Sequence, residues 1–170
     1  MQELILGGAR SGKSSYAEQR AQASGLHVIY IATATAQDKE MAERITRHRQ
    51  QRPDHWQLIE EPLDLVTVLQ TYAAPDACLL VDCLTLWLSN LLAQDNLGEL
   101  EQQQAGLLHL LPDLPGDIIL VSNETGLGII PMGELTRRFV DEAGRLHQRL
   151  AAQCDRVTLM IAGLPQQLKP

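Results

Sequence analysis

Short apolar runs alternate along the chain with amphipathic segments. Continuous apolar runs are typical of strands buried on both faces, and amphipathic segments are typical of helices that bury one face. The pattern predicts six strands, over Glu3–Leu6, Val28–Ala32, Gln57–Glu60, Cys78–Val81, Ile118–Val121 and Val157–Ile161. It also predicts six helices, over Lys13–Ser24, Asp38–Arg52, Leu63–Tyr72, Leu84–Ala93, Glu99–Leu111 and Gly133–Gln153.

This order of elements predicts an α/β fold with a mostly parallel central sheet and helices on both faces. Pro62 precedes one predicted helix and Pro53 closes another, which are the positions that proline favours at helix ends. A chain of 170 residues suits one domain with a single core, so we expect one domain over residues 1–170. Ligands of such folds bind at the carboxyl ends of the strands.

Composition excludes several classes of protein. With 45% hydrophobic residues the chain is neither disordered nor fibrous, and its net charge of −7 argues against non-specific binding of nucleic acid. Three cysteines without a C-x-x-C pair predict neither a disulfide framework nor a zinc site, and Cys78 and Cys83 are expected in the core.

Polar residues interrupt the longest apolar stretch, over 77–93, at Asp82, Ser89 and Asn90. We therefore expect no stable insertion into a membrane. The first predicted strand begins at the N-terminus, where a signal peptide would lie. The expected location is the cytoplasm.

Residues 7 to 14 match G-x-x-x-x-G-K-S, the phosphate-binding loop, between a predicted strand and a predicted helix. Glycines let the backbone approach an anion, and the N–H groups at a helix start favour negative charge. Lys13 would reach the β- and γ-phosphates, and Ser14 would ligate Mg²⁺. The alternative is a glycine-rich turn that matches by chance. The predicted nucleotide-binding loop comprises Gly7, Gly8, Ala9, Arg10, Ser11, Gly12, Lys13 and Ser14.

Asp82 follows the apolar residues Leu79, Leu80 and Val81. In a nucleotide-binding α/β fold, a carboxylate at this strand end is expected to be the second Mg²⁺ ligand. The alternative is that Asp82 is the N-cap of the next helix, and the two roles are compatible.

A histidine lies within a run of arginines in the predicted helix over 38–52. Positions four apart share a helix face, so Arg44, His48 and Arg52 form one stripe, with Arg47 and Arg49 beside it. Nearby positive charge favours a neutral imidazole, which suits attack on phosphorus while the arginines hold the phosphate oxygens. The alternative is a solvated basic face with a bystander histidine.

Asn123 and Glu124 follow the predicted strand over 118–121. Asn123 would orient a substrate hydroxyl or a water, and Glu124 would accept a proton or bind metal. An ordinary turn remains equally open, because Gly126 and Gly128 follow.

Several of these motifs together resemble one known family, that of the bifunctional adenosylcobinamide kinase / adenosylcobinamide-phosphate guanylyltransferases. The resemblance covers essentially the whole chain. It rests on the phosphate loop, Tyr30-Ile31-Ala32-Thr33-Ala34, Arg44-Ile45, His48-Arg49, Arg52-Pro53, Val121-Ser122-Asn123-Glu124 with Gly126, Gly128 and Pro131, and Gly163-Leu164-Pro165 with Lys169.

The resemblance implies a RecA-like P-loop NTPase fold, a homotrimer and two reactions. ATP or GTP would phosphorylate the aminopropanol hydroxyl of adenosylcobinamide, and GTP would then donate GMP to adenosylcobinamide phosphate through a GMP-histidine intermediate on His48. Independently of the resemblance, the phosphate-loop chemistry predicts Lys13 as a second catalytic residue and Ser14 with Asp82 as Mg²⁺ ligands. Beyond the phosphate loop, the implied nucleotide contacts are Ala32, Thr33, Ala34, Arg49, Gln50, Gln51, Arg52, Glu60 and Asp82.

Two other functions are compatible with the phosphate loop. A simple small-molecule kinase leaves the arginines around His48 unexplained. A GTP-dependent regulatory switch is disfavoured, because the sequence lacks Asn-Lys-x-Asp and has no Asp-x-x-Gly after the second strand. Gly126 and Gly128 further suggest a flexible loop that covers the corrinoid.

Overall fold

The fold is seen in a computed structural model that describes residues 1–35 and 53–170. Seven strands form one sheet in the order β3-β2-β4-β5-β1-β6-β7. The predicted helix over 38–52, with His48 and its arginines, lies outside the described residues. The strands are β1 (Gln2–Gly7), β2 (His27–Ala32), β3 (Gln57–Glu60), β4 (Ala77–Asp82), β5 (Asp117–Asn123), β6 (Arg156–Ile161) and β7 (Leu164–Lys169).

Five helices connect these strands in the described part of the chain. They are α1 (Lys13–Ala23), α2 (Leu65–Tyr72), α3 (Leu84–Ala93), α4 (Leu97–Leu110) and α5 (Glu134–Gln153). A short 3₁₀ turn over Leu111–Asp113 follows α4. Strands β1 to β6 pair in parallel, and only β7 runs antiparallel, against β6. The predicted mostly parallel α/β sheet is confirmed.

Helices cover both faces of the sheet, as the continuous apolar strands predict. Alternate strand residues point to opposite faces. On β1, Leu4 and Leu6 join a core with α2, α3, α4 and α5, whereas Ile5 joins a second core with Ala17 and Ala21 of α1. Because the two cores cover the faces of the sheet, the carboxyl ends of its strands form the edge at which a site can lie.

Side chains at the helix starts account for the differences from the predicted helix bounds. The carboxylate of Asp64 accepts a hydrogen bond from Thr67 N, so α2 begins at Leu65 rather than Leu63. A hydrogen bond from the side chain of Thr67 is the main cause that holds the pKa of Asp64 below its ordinary value, and the bonds from Gln103 and Thr67 N add to it. Asn96 likewise accepts from Glu99 N, so α4 begins at Leu97, two residues earlier than predicted.

Strand β7 was not predicted. Ala162 and Gly163 both take positive φ and turn the chain back from β6. β7 then pairs with β6 from Leu164 to Lys169, but its side chains are mostly exposed and show no buried alternation. Lys169 Nζ donates to the carbonyls of Ala151, Ala152 and Cys154, where α5 ends.

Candidate active site

Five predicted site positions lie along one edge of the sheet, at the carboxyl ends of parallel strands. Gly7 ends β1 opposite Asn123 of β5, and Ala32 ends β2 opposite both Glu60 of β3 and Asp82 of β4. This edge is where ligands of parallel α/β sheets bind. The structure therefore brings the phosphate loop, the end of β2, Glu60 and Asp82 to the same edge, as expected.

The phosphate loop connects β1 directly to α1. Its backbone turns through two residues of left-handed conformation, Arg10 (φ 56°) and Gly12 (φ 92°), and α1 begins at Lys13. Glycine adopts this conformation freely, whereas Arg10 is strained there, a feature common at ligand sites. Lys13 Nζ donates to Gly8 O at 3.1 Å and its side chain is largely buried. The Lys13 side chain thus folds back over the loop, and its ammonium group lies beside the carbonyl of Gly8.

Neighbouring segments hold this loop from two sides. Glu124 N donates to Gly7 O at 3.1 Å, and Gly163 N donates to Ser11 O at 2.9 Å. Ser11 Oγ is buried and has no hydrogen-bond partner among the described residues. A buried hydroxyl without a partner inside a phosphate loop fits a site whose partner is an anionic ligand.

Asp82 is fixed at the end of β4. Tyr30 OH donates to Asp82 Oδ2 at 2.7 Å. The N-cap position of α3 is Cys83, without a side-chain capping bond, so the alternative that Asp82 caps this helix is wrong. Strand β4 runs one residue further than predicted and takes Asp82 into the sheet.

The donor set near the loop suits Mg²⁺. Ser14 lies in the first turn of α1 and contributes a hydroxyl, and Asp82 contributes a carboxylate. Oxygen donors of this kind are those that Mg²⁺ prefers. Tyr30 holds the carboxylate of Asp82 by one oxygen, so the second oxygen is the one suited to a cation or its bound water.

Thr33 is fully buried at the end of β2. Its hydroxyl donates to Cys83 O at 2.7 Å and accepts from Cys83 N at 2.9 Å, so both of its bonding functions are used. Asn90 Nδ2 donates to Thr33 O at 2.8 Å and to Pro62 O at 3.1 Å. The side chain of Thr33 therefore ties the end of β2 to the segment after β4.

Cys83 stands next to Asp82 but is not a nucleophile. Burial, and to a smaller extent the charge of Asp82, raises the pKa of this thiol to about 11. The thiolate is the reactive form, so Cys83 stays unreactive near neutral pH. Burial also raises the pKa of Cys78 to about 11 and of Cys154 to about 12. Cys78 and Cys83 are in the core, as predicted.

A polar network that sequence reasoning missed lies behind Asn123 and Glu124. Asn123 N donates to Thr85 Oγ1 at 2.6 Å, Thr85 Oγ1 lies 3.3 Å from Ser122 Oγ, and Ser122 Oγ lies 2.8 Å from His147 Nε2. Burial lowers the pKa of His147, against the opposing effect of Glu124. These side chains come from β5, α3 and α5, and no local sequence signal connects them.

After Glu124 the chain forms an exposed apolar segment. Ile129 is 98% exposed. Four more large apolar side chains lie open to solvent between residues 127 and 135, those of Leu127, Ile130, Met132 and Leu135. An apolar patch of this extent marks a surface that binds something.

Five predicted site residues lie outside the described residues: His48 and the nucleotide contacts Arg49, Gln50, Gln51 and Arg52. Within residues 1–35 and 53–170, no helix has the length and apolar character to cross a bilayer. The same residues contain no cluster of three or more histidine, cysteine or acidic side chains arranged to hold a metal.

Comparison with known proteins gives full-length matches. Residues 3–168 match the family described as cobinamide kinase / cobinamide phosphate guanyltransferase. The chain is 60% identical to the bifunctional adenosylcobalamin biosynthesis protein CobP of Pseudomonas aeruginosa, over 99% of this chain and 98% of that one. It is 39% identical to the bifunctional adenosylcobalamin biosynthesis protein CobU of Salmonella typhimurium, over 99% of this chain and all of that one.

Solved structures show the same fold at low sequence identity. The RadB recombinase matches with a TM-score of 0.54 at 18% identity, over 93% of this chain and 73% of that one. The flagellar accessory protein FlaH of Methanocaldococcus jannaschii matches with a TM-score of 0.55 at 14% identity, over 99% of this chain and 77% of that one. Identities this low show the fold alone, which is that of RecA-like P-loop ATPases.

Proposed function

The chain belongs to the cobinamide kinase / cobinamide phosphate guanyltransferase family, and we propose how its residues divide the two reactions of that family between them. It phosphorylates adenosylcobinamide with ATP or GTP, and it transfers GMP from GTP to adenosylcobinamide phosphate in cobalamin biosynthesis. The observation that carries the proposal is that the match runs over residues 3–168, so it includes both the phosphate loop and the His48 segment. One domain over residues 1–170 performs both steps.

The phosphate loop binds the triphosphate in both reactions. Its backbone N–H groups and Lys13 surround the β- and γ-phosphates, and the start of α1 adds a favourable dipole. Support comes from the position of Lys13 Nζ, which lies 3.1 Å from Gly8 O within the loop. Glu60 and the backbone of Ala32 and Ala34 then face the same edge and contact the rest of the nucleotide.

Ser14 and Asp82 would hold the Mg²⁺ that accompanies the nucleotide. When bound, the ion neutralises charge on the phosphate oxygens. The hydrogen bond from Tyr30 keeps the Asp82 carboxylate oriented at the end of β4.

The kinase step needs positioning and charge neutralisation but no nucleophile from the protein. The aminopropanol oxygen of adenosylcobinamide attacks the γ-phosphorus, and the bond to the β-γ bridging oxygen breaks. The nucleoside diphosphate leaves with that electron pair, and Lys13 offsets the charge that develops on it.

The guanylyl step uses His48 as nucleophile. A ring nitrogen attacks the α-phosphorus of GTP, and pyrophosphate leaves as the bond to the α-β bridging oxygen breaks. A phosphate oxygen of adenosylcobinamide phosphate then attacks the same phosphorus, the P–N bond breaks, and adenosylcobinamide-GDP is released. Splitting the transfer into two displacements is the advantage of covalent catalysis. Arg49 and Arg52 with Gln50 and Gln51 hold the phosphate oxygens during both displacements.

A mass measurement tests this division. Wild-type protein incubated with GTP is expected to gain the mass of one GMP, and added adenosylcobinamide phosphate should remove it. His48→Ala should lose this adduct and the guanylyl transfer but keep the kinase step, with His55→Ala as the matched control. A His48→Ala protein that stays folded yet loses both activities equally would contradict the proposed division.

The remaining partners follow from the same family. We propose that the enzyme is a homotrimer, and the exposed apolar segment over 127–135 supplies surface for subunit contacts or for the corrinoid. Light scattering of the purified chain measures the subunit number directly. Its three buried, free thiols suit work in the cytoplasm.

A further inference from the structure

A chain of close polar contacts holds His147 behind Glu124. The N–H of Asn123 donates to Thr85 Oγ1 at 2.6 Å, and Thr85 Oγ1 lies 3.3 Å from Ser122 Oγ, where either hydroxyl is able to donate. Ser122 Oγ lies 2.8 Å from His147 Nε2, and the tautomer of the ring decides which atom donates there.

Nδ1 of His147 faces Glu124. It lies 3.9 Å from Glu124 Oε2, which is longer than a hydrogen bond. The carboxylate favours the tautomer with the proton on Nδ1, because the other tautomer directs a nitrogen lone pair at the same oxygen. His147 is buried, and burial keeps the ring neutral. The neutral imidazole therefore favours the orientation of Glu124 in which Oε2 faces Nδ1.

Backbone contacts hold Glu124 beside the phosphate loop. Its N–H donates to Gly7 O at 3.1 Å, and Gly7 is the first residue of the loop. Its Oε1 accepts from Gly126 N at 2.5 Å, and its side chain is only partly buried. The neighbouring Asn123 Oδ1 is buried and has no partner among the described residues. Two oxygen acceptors thus stand at the carboxyl end of β5 next to the loop that binds the γ-phosphate.

We propose that Glu124 is the base that accepts the aminopropanol proton in the kinase step, and that His147 is a positioning residue that orients it. This assignment rests on the proposed function. As the hydroxyl oxygen bonds to the γ-phosphorus and the nucleoside diphosphate leaves, the hydroxyl proton moves to the Glu124 carboxylate and later to water. In the guanylyl step the acceptor is an anionic phosphate oxygen with no proton to remove, so Glu124 has no role there.

The two activities of one protein supply the internal control. The kinase rate is measured with ATP and adenosylcobinamide, and the guanylyl half by labelling of the protein with α-labelled GTP and transfer to adenosylcobinamide phosphate. Glu124→Gln should lower kcat of the kinase step about 100-fold or more, leaving KM for ATP and the guanylyl half within about threefold. Glu101→Gln, at an exposed glutamate of α4, is the matched control and should change neither activity.

Retention of kinase kcat in Glu124→Gln, or an equal fall of both activities, would overturn the assignment of the base. A wild-type protein with no kinase activity would overturn the proposed function as well. An active wild type with an equally active Glu124→Gln overturns only the inference about Glu124. The two failures are therefore distinguishable.

Two amide variants test His147 separately. The amide nitrogen of His147→Asn lies near the position of Nδ1 and keeps a donor towards Glu124, whereas that of His147→Gln lies near Nε2 and keeps only the contact with Ser122. His147→Gln should lower kinase kcat about 10-fold with the guanylyl half unchanged, and His147→Asn should recover most of that loss. Equal losses in the two variants, or a parallel loss of guanylyl transfer, would reduce His147 to a purely structural residue.

Discussion

The substitution Thr33→Val tests which contacts stabilise the edge of the sheet formed by the carboxyl ends of the strands. Thr33 is 0% exposed, and its hydroxyl forms two hydrogen bonds to the backbone of Cys83, at 2.7 and 2.9 Å. Valine has nearly the same shape but leaves the N–H of Cys83 without a partner, whereas the C=O of Cys83 still accepts from Trp87 N at 3.2 Å. A buried polar group left unpaired costs about 1–3 kcal/mol, so the expected loss in the free energy of unfolding is about 1–3 kcal/mol.

Equilibrium unfolding in urea, followed by circular dichroism, measures this loss. In a chain of this size, 1 kcal/mol corresponds to roughly 2–4 °C in Tm, so Tm should fall by roughly 2–12 °C. Thr33→Ser keeps the hydroxyl and loses one methyl group, for which about 1 kcal/mol is expected.

Thr71→Val supplies the matched control. Its hydroxyl also donates to a backbone carbonyl, Thr67 O at 2.7 Å, but Thr71 is exposed on α2, where water replaces the lost bond. The same substitution there should change stability by about 0.5 kcal/mol or less. If Thr33→Val and Thr71→Val unfold at the same urea concentration, the reasoning about buried partners of Cys83 is refuted.

Two further predictions concern the loop and the network behind it. A Cβ on Gly7 would lie 2.5 Å from Ser11 Oγ and 2.8 Å from Met160 O, whereas one on Gly8 would meet nothing within 4 Å. Gly7→Ala should therefore lower Tm and weaken nucleotide binding by calorimetry, and Gly8→Ala should leave Tm unchanged; equal Tm values would contradict this. Burial lowers the pKa of His147 from its ordinary value of 6.5, so the unfolded chain binds a proton that the folded chain does not. Stability should then fall as the pH drops below about 6.5, by at most about 1.4 kcal/mol per pH unit from this one residue, and urea midpoints of His147→Gln should show a shallower slope. An identical slope in that variant would exclude His147 as the source.

Features formed by residues that are contiguous in the sequence were predicted well, whereas features without a clear local pattern were missed. The phosphate loop was identified because its strand, glycines, lysine and helix are contiguous, and in the structure the helix begins at Lys13 as predicted. Strand β7 was missed because its side chains are mostly exposed and leave no buried pattern, although Gly163 marks the turn before it. An antiparallel edge strand exposed on both faces carries little periodic signal.

The supporting contacts of the site could not be inferred in the same way. Thr33 and Cys83 come together because β2 and β4 are neighbours in the sheet, which the order of the chain does not reveal. His147 reaches Ser122 from α5 for the same reason. Asp82 looked like a helix cap because the predicted strand ended one residue too early. These contacts depend on the tertiary fold, because the pattern of helices and strands along the chain does not determine which strands become adjacent.

The turn between β6 and β7 links the two ends of the polypeptide. Gly163 N donates to Ser11 O at 2.9 Å, and a Cβ on Gly12 would come within 3.2 Å of Gly163 Cα. The β6–β7 hairpin thus packs against the phosphate loop, which lies near the other end of the sequence. Deletion of β7 would remove the strand that holds this turn in place. We therefore expect a truncated protein to bind nucleotide less tightly, although its phosphate loop is unchanged in sequence.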